Sequence, residues 1–233
     1  MSGMYPKAQN VKELSDILYN KVNPITCEGL RWDFKHPEVS KYVGMAPGME
    51  RFDAQFFTVY HRLGNHMDPV SRKVLEHCYQ AMYDAGVNPS YYNGKKVAVM
   101  VGSSIANTEH RGVVDFISKT GLGIVGCSKT MYANRVSYWL NVKGPSVSID
   151  SEDCASTIAL EQACASLIRG ECEAAIVAGG TTKLFPHNSI YHRRMGAISS
   201  DGNTKSFDVS ADGYVLSDAI GVLFLQRAED ALR

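Results

Sequence analysis

The chain has 233 residues, 45% of them hydrophobic, enough to bury a sizeable core, and its 24 basic residues are balanced by 24 acidic ones. No stretch concentrates Lys or Arg with interleaved aromatics, which argues against a nucleic-acid partner, and no run of about 18 apolar residues marks a membrane span. The amino terminus, MSGMYPKAQNVKEL, lacks the apolar run of a signal peptide, and the six cysteines (27, 78, 127, 154, 164 and 172) form neither a CxxC pair nor, with a histidine, a zinc spacing. The reading is a cytoplasmic globular protein with reduced thiols, no metal and no cofactor.

Asn10 is a good N-cap with Glu13 three residues on, and Val11, Leu14, Leu18 and Val22 share a face, so a first helix is expected to end before Pro24. From Thr26 to about Gly64 the chain reads as loops with short helical pieces and an aromatic cluster at Phe52, Phe56 and Phe57. Asp68 caps a second helix with Pro69 in its first turn; Val70, Val74, Leu75, Cys78 and Met82 are its buried face and Gly86 ends it. Lys96 to Val101 is a short apolar run between glycines and reads as a buried strand. A helix at about Met131–Leu140, a strand at Ser146–Ile149, a helix to about Arg169, a strand at Ala174–Ala178 and a strand at Ile220–Gln226 complete the pattern. Alternating helices and buried strands predict a layered α/β fold with much parallel sheet.

Two stretches suggest chemistry. Gly121-Leu-Gly-Ile-Val-Gly126 matches GxGxxG literally, but the preceding VVDFISKT does not read as a strand, so a flexible loop is expected rather than a dinucleotide site. The stretch SIDSEDCASTIALEQAC, residues 148–164, reads as a strand turning sharply into a helix, with Asp153 and Cys154 adjacent at the turn. A thiol at a helix start gains from the dipole and from free backbone N–H groups, which makes Cys154 a candidate nucleophile. The bland alternative is a small cysteine beside an aspartate that caps the helix.

Several segments, in order and at matching distances, resemble the amino-terminal half of a β-ketoacyl synthase, as found in animal type I fatty acid synthases and modular polyketide synthases. They are Met67-Asp68-Pro69 with Arg72, Leu75-Glu76 and Asp84-Ala85-Gly86; Ala133-Asn134-Arg135 with Ser137-Tyr138 and Gly144-Pro145-Ser146; Gly170-Glu171-Cys172 with Ala178-Gly179-Gly180; and Ser199-Ser200-Asp201-Gly202 with Lys205, Phe207-Asp208 and Ala211-Asp212-Gly213-Tyr214-Val215. The resemblance covers nearly the whole chain as a single, incomplete domain. It implies a thiolase-like fold and a decarboxylating Claisen condensation, in which a cysteine carries the acyl chain and a malonyl thioester supplies the carbanion. By resemblance the partners are an acyl carrier protein or acyl thioester, within a homodimer or a larger multidomain synthase.

In the family the turn reads D-T-A-C-S-S-S, with the nucleophile three residues after the Asp. Counting from Asp150 puts Asp153 there and Cys154 one residue later. With Asp153 as the reference, Ile158, Ala159, Leu160, Ala163, Cys164 and Leu167 fall where the family carries apolar or small residues. A one-residue slip would rotate a helical side chain by about 100° and raise it by about 1.5 Å. Asp153 is therefore expected at the nucleophile position, and Cys154 serves only if the turn is remodelled.

The family's two catalytic histidines belong to its second half, and none of His36, His61, His66, His77, His110, His187 or His192 lies in their setting. Ser2-Gly3-Met4-Tyr5-Pro6 resembles the loop that follows the family's first strand, so that strand is expected to be missing. Leu216, Asp218 and Ala219 replace the family's Arg, Glu and Gly, and altered substrate handling is expected there. Two readings result: a fatty acid synthase-like ketosynthase that does not condense as this chain alone, or a non-catalytic homologue serving dimerisation or carrier-protein binding.

Overall fold

All six residues of Val97–Gly102 are buried, and this strand sits second from one edge of a five-stranded sheet. The computed structural model describes residues 1–33, 36–104, 108–109 and 121–232. In chain order the strands are β1 (Ser2–Met4), β2 (Val97–Gly102), β3 (Ser146–Ile149), β4 (Ala174–Thr181) and β5 (Ala219–Gln226), arranged β1-β5-β4-β2-β3. The helices are α1 (Val11–Tyr19), α2 (His61–His66), α3 (Pro69–Asp84), α4 (Gly123–Cys127), α5 (Met131–Leu140), α6 (Ala155–Ile168), α7 (His187–Arg194) and α8 (Ala228–Ala231). Strand β2 runs parallel to both β3 and β4, as the alternation of helices and strands predicts.

Two compact units divide the chain. The first comprises Met1–Gly3, Met49–Thr181 and Ile220–Arg233 and contains most of the sheet; the second comprises Met4–Gly48 and Thr182–Ala219. In the first, Ala98, Met100, Ala175 and Val177 meet Ala159, Ala163 and Leu167 of α6, together with Cys172, in one buried cluster. The two-residue period of a strand leaves Val97, Val99 and Val101 for the opposite face, where α5 packs on β2 and α3 packs on α5 and β4. Small side chains on α6 let the helix lie close to the strands, so the sheet is covered on both faces.

Helix α3 forms as its sequence signals require. Asp68 Oδ1 accepts from Val70 N at 2.7 Å, Pro69 lies in the first turn, the five apolar residues expected inside are buried, and Gly86 follows with φ +71°. Asn10 caps α1 by accepting from Glu13 N at 2.9 Å. Phe52 and Phe57 stack at 5.6 Å, and Phe56 and Trp139 both pack on Phe57 at 4.9 and 4.9 Å between ring centroids.

Two expectations need correction, and one helix lies where none was expected. Ser2–Met4, assigned from sequence to a loop, is the short strand β1 and lies beside β5, so β5 has a neighbour on each side. Three residues with glycine in the middle carry no readable period. Polar Ser2 is nevertheless buried, because its hydroxyl meets His77 Nδ1 at 2.7 Å and donates to Gln80 Oε1 at 2.8 Å. Gly123–Cys127, expected to be a flexible loop, is the short helix α4; the VVDFISKT segment before it lies outside the described residues. A Cβ on Gly126 would come within 2.5 Å of the His66 carbonyl oxygen, so that glycine serves close backbone packing. Asp68 N donates to Gly126 O at 2.9 Å, and Arg135 Nη2 to Val125 O at 2.6 Å. Finally, His187–Arg194 is helical although HNSIYHRR has no apolar stripe to announce it.

Candidate functional site

Gly102, Ile149 and Gly179 lie in one row across the carboxyl ends of three parallel strands, β2 pairing with β3 at Gly102–Ile149 and with β4 at Gly102–Gly179. In open α/β sheets ligands meet the protein at this end of the strands. Directly after Ile149 the chain makes the turn Asp150-Ser151-Glu152-Asp153-Cys154 and enters α6. Both glycines are needed for that entry. A Cβ on Gly102 would lie 2.4–2.5 Å from backbone atoms of Ala155 and Ser156, and one on Gly179 would lie 2.7 Å from Ser156 Cβ. The helix start is thus seated directly on the strand ends.

Glu152–Cys154 form a single 3-10 turn, with Cys154 N donating to Ser151 O at 3.0 Å, and Cys154 is the N-cap of α6. Glu152 has φ +46°, the left-handed region that costs a non-glycine residue about 1–2 kcal/mol and marks this turn as strained. Asp153 and Cys154 are both exposed, and neither side chain makes a hydrogen bond or ion pair among the described residues. Asp150 is held by Lys129, whose Nζ lies 2.5 Å from Oδ2. Three carboxylates therefore surround the helix start: Asp150, Glu152 and Asp153. Negative charge there is favoured by the helix dipole and by the unpaired N–H groups of the first turn.

Each described histidine has a partner other than Cys154. His77 is buried against Ser2, and its pKa is pushed down to about 4, by burial first and then by Lys73. His192 Nδ1 meets the Tyr214 hydroxyl at 2.7 Å, His66 Nδ1 lies 2.8 Å from Arg62 O, and His187 stacks on Phe185. His61 Nδ1 faces Asn65, His36 Nδ1 accepts from Glu38 N, and His110 lies outside the described residues. Of the other cysteines, Cys78, Cys127 and Cys172 are buried, with burial raising each thiol's pKa, while Cys27 and Cys164 are exposed. No group of His, Cys, Asp and Glu among the described residues could hold a metal ion.

The second unit has its own polar centre, which sequence reasoning recognised only as a departure from a pattern. Asp218 is fully buried and pairs with Arg31 Nη2 at 2.6 Å. Its carboxylate also accepts from Ala46 N at 2.9 Å and from Lys183 N at 2.7 Å. One side chain therefore ties three distant segments together. The neighbouring Leu216 is buried, and its carbonyl accepts from Gly44 N at 2.9 Å. Arg31 stands 187 positions from Asp218 in the sequence, so no local signal could have paired them.

With that geometry in place, comparison with known proteins identifies the scaffold. The family model of the β-ketoacyl synthase N-terminal domain matches residues 1–231. The chain is 36% identical over 233 residues to a fatty acid synthase of Anser anser anser, spanning all of this chain and 66% of that sequence. It is 30% identical over 244 residues to the polyketide synthase PksN of Bacillus subtilis, of which it spans 4%. Among solved structures, the ketosynthase from module 6 of the B. subtilis bacillaene synthase superposes with a TM-score of 0.86 at 34% identity, covering 99% of this chain and 40% of that one. The oxazolomycin ketosynthase domain of Streptomyces albus JA3453 superposes with a TM-score of 0.90 at 28% identity. The fold is thiolase-like, and the chain belongs to the β-ketoacyl synthase family through its N-terminal domain.

Proposed function

We propose that this chain is part of a fatty acid synthase-like β-ketoacyl-ACP synthase in which Asp153 fills the nucleophile position, so that the chain by itself does not catalyse condensation. The observation that carries the proposal is the turn itself: its seat on Gly102 and Gly179 is intact, while its third residue after Asp150 is a carboxylate. A ketosynthase thiolate attacks an acyl thioester, expels the carrier thiol and holds the acyl group for attack by the carbanion that malonyl decarboxylation releases. A carboxylate in the same place is a weak nucleophile. Its product with a thioester would be a mixed anhydride, open to hydrolysis. Its charge, with Glu152 and Asp150 beside it, also opposes a developing anion where catalysis requires donors.

The same scaffold supports a second, non-catalytic role as a dimerisation or carrier-protein-binding surface. β3 is an edge strand with Val147 exposed, and α6 beside it exposes Cys164 and Ile168. A homodimer built on this edge would pair the free backbone groups of β3 and cover the apolar side chains. The acyl carrier protein or acyl thioester partner, the cytoplasmic location and membership of a larger synthase belong to the same proposal.

Labelling decides between a silent turn and a remodelled one. The folded protein is exposed to an acyl-thioester analogue or a cerulenin-like electrophile, and modified residues are mapped by mass spectrometry. Labelling spread over the exposed thiols without preference for Cys154 is the expected result. Selective modification of Cys154 over Cys27 and Cys164 would show that the turn presents the thiol and would overturn the assignment to Asp153.

A further inference from the structure

The segment between Thr26 and Val43, in the second unit, is closed at its base and pinned along its length. Thr26 N donates to Val43 O and Val43 N to Thr26 O, each at 3.0 Å. Arg31 Nη2 donates to Ala46 O at 3.0 Å in addition to pairing with Asp218. Within this frame, described residues between 30 and 41 line a cavity of about 850 Å³, inside the roughly 300–1,000 Å³ range of small-molecule sites. Its apolar wall comes from Leu30, the Trp32 indole, Pro37 and Val39. Flat faces such as an indole and a proline ring give a rigid ring system more contact than a flexible chain, at less cost in conformational freedom.

The polar groups of the lining decide what such a ring system must carry. Trp32 Nε1 is buried and meets no acceptor among the described residues, although a buried indole N–H ordinarily has one. Ser40 has no hydrogen-bonding capacity to spare for it: its hydroxyl already donates to Tyr42 O at 3.0 Å and accepts from Tyr42 N at 3.1 Å. His36 Nδ1 is likewise engaged, accepting from Glu38 N at 3.2 Å. Asp33 and Lys41 are exposed and neither joins an ion pair among the described residues; their charges stay hydrated, and the opposite signs favour neither an anion nor a cation. The unmet group in the wall is therefore one hydrogen-bond donor, and its complement is an acceptor on an uncharged molecule.

We infer that this cavity is a binding site for a neutral, ring-containing small molecule whose carbonyl oxygen accepts from Trp32 Nε1. The inference goes beyond the reading proposed for the 150–154 turn and stands whether or not Asp153 silences it. Benzophenone, two rings on a ketone, is the probe, and diphenylmethane is its counterpart with a methylene in place of the carbonyl. Irradiation of the protein with benzophenone, followed by mass-spectrometric mapping, is expected to place saturable adducts on residues 30–41. Adducts spread along the chain, or confined to other segments, would overturn the inference. Equilibrium dialysis of both probes against the parent and Trp32→Phe reads the hydrogen bond, because phenylalanine keeps a ring and lacks the N–H. Benzophenone is expected to lose roughly two- to tenfold in affinity relative to diphenylmethane on that substitution. An unchanged ratio in a variant that melts like the parent would mean that ring packing alone drives binding, and the acceptor would be refuted. Nuclear magnetic resonance of the parent gives the same answer without any substitution. The Trp32 indole N–H resonance is expected to move downfield with benzophenone and not with diphenylmethane, with Trp139, the other tryptophan, as internal reference. Equal displacement by the two probes, or none by either, would remove Nε1 from the site.

Discussion

Replacing Asp218 by alanine removes the carboxylate on which three segments of the second unit converge. The substitution leaves the Arg31 guanidinium, whose side chain is 23% exposed, without its partner, and it strips the acceptor from Ala46 N and Lys183 N. Breaking a buried ion pair from one side costs about 3–5 kcal/mol, most of it the penalty of the charge left behind. Partial exposure of Arg31 lets water recover some of that, while each orphaned N–H adds about 1–3 kcal/mol unless water reaches it. The opposing corrections keep the expected loss at about 3–5 kcal/mol, a large part of the stability of an ordinary domain. Urea unfolding followed by circular dichroism measures it. Asp218→Asn keeps a carbonyl oxygen for one N–H but loses the ion pair, so it is expected between alanine and the parent. Asp218→Glu keeps the charge and adds a methylene to a fully buried site, at a cost of about 1–3 kcal/mol. A loss below about 1 kcal/mol for Asp218→Ala would refute the reasoning, because it would mean that neither the ion pair nor the two N–H bonds carries the second unit.

Gly102→Ala places a methyl group 2.4–2.5 Å from backbone atoms that cannot rotate away, so α6 must shift at its start; an overpacking loss of about 1–3 kcal/mol is expected, together with altered proteolysis of the 150–154 turn. Parent-like stability and an unchanged turn would show that α6 is not seated there. His77 is neutral in the fold down to about pH 4, whereas the unfolded chain takes up its proton near 6.5, so stability falls as pH drops through that window and the effect saturates below it. The full gap corresponds to at most about 3 kcal/mol, and the pH slope is expected to flatten in a His77→Gln variant measured by denaturant titration at each pH; equal slopes would exclude His77 as the source. Asp153→Cys restores a thiol at the aligned position and is expected to be labelled by the acyl-thioester analogue in preference to Cys154. Preference for Cys154 in that variant would reverse the register argument.

The elements that could be read from sequence were those whose signals are local. Helix α3 carries its cap, proline, apolar stripe and terminal glycine within one stretch, and β2 is a short buried run between glycines. Strand β1 escaped notice because three residues around a glycine have no period, and what buries Ser2 lies on α3, more than 70 residues away. Helix α7 has no apolar face from which to be read. At the candidate site, the identities of Asp153 and Cys154 were legible, but the seat was not. Gly102 and Gly179 look like ordinary strand ends in the sequence, and only the register places them on either side of the entry to α6. Arg31 and Asp218 show the same limit, since a pair formed across 187 residues belongs to the tertiary fold.

On the reading proposed for Asp153, shape and chemistry separate at the turn 150–154. Its shape depends on the two glycines beneath it, on Lys129 beside Asp150 and on a helix start that welcomes negative charge. None of these requires a thiol. Replacing a nucleophile by aspartate is therefore cheap for the fold, because the same N–H groups that would stabilise an oxyanion serve equally to solvate a carboxylate. The chemical cost is large by contrast, since a carboxylate holds no transferable thioester and repels the anion that condensation must form. On that reading a single position loses its reaction while β2, β3, β4 and α6 keep their packing, with the β3 edge and the outer face of α6 exposed.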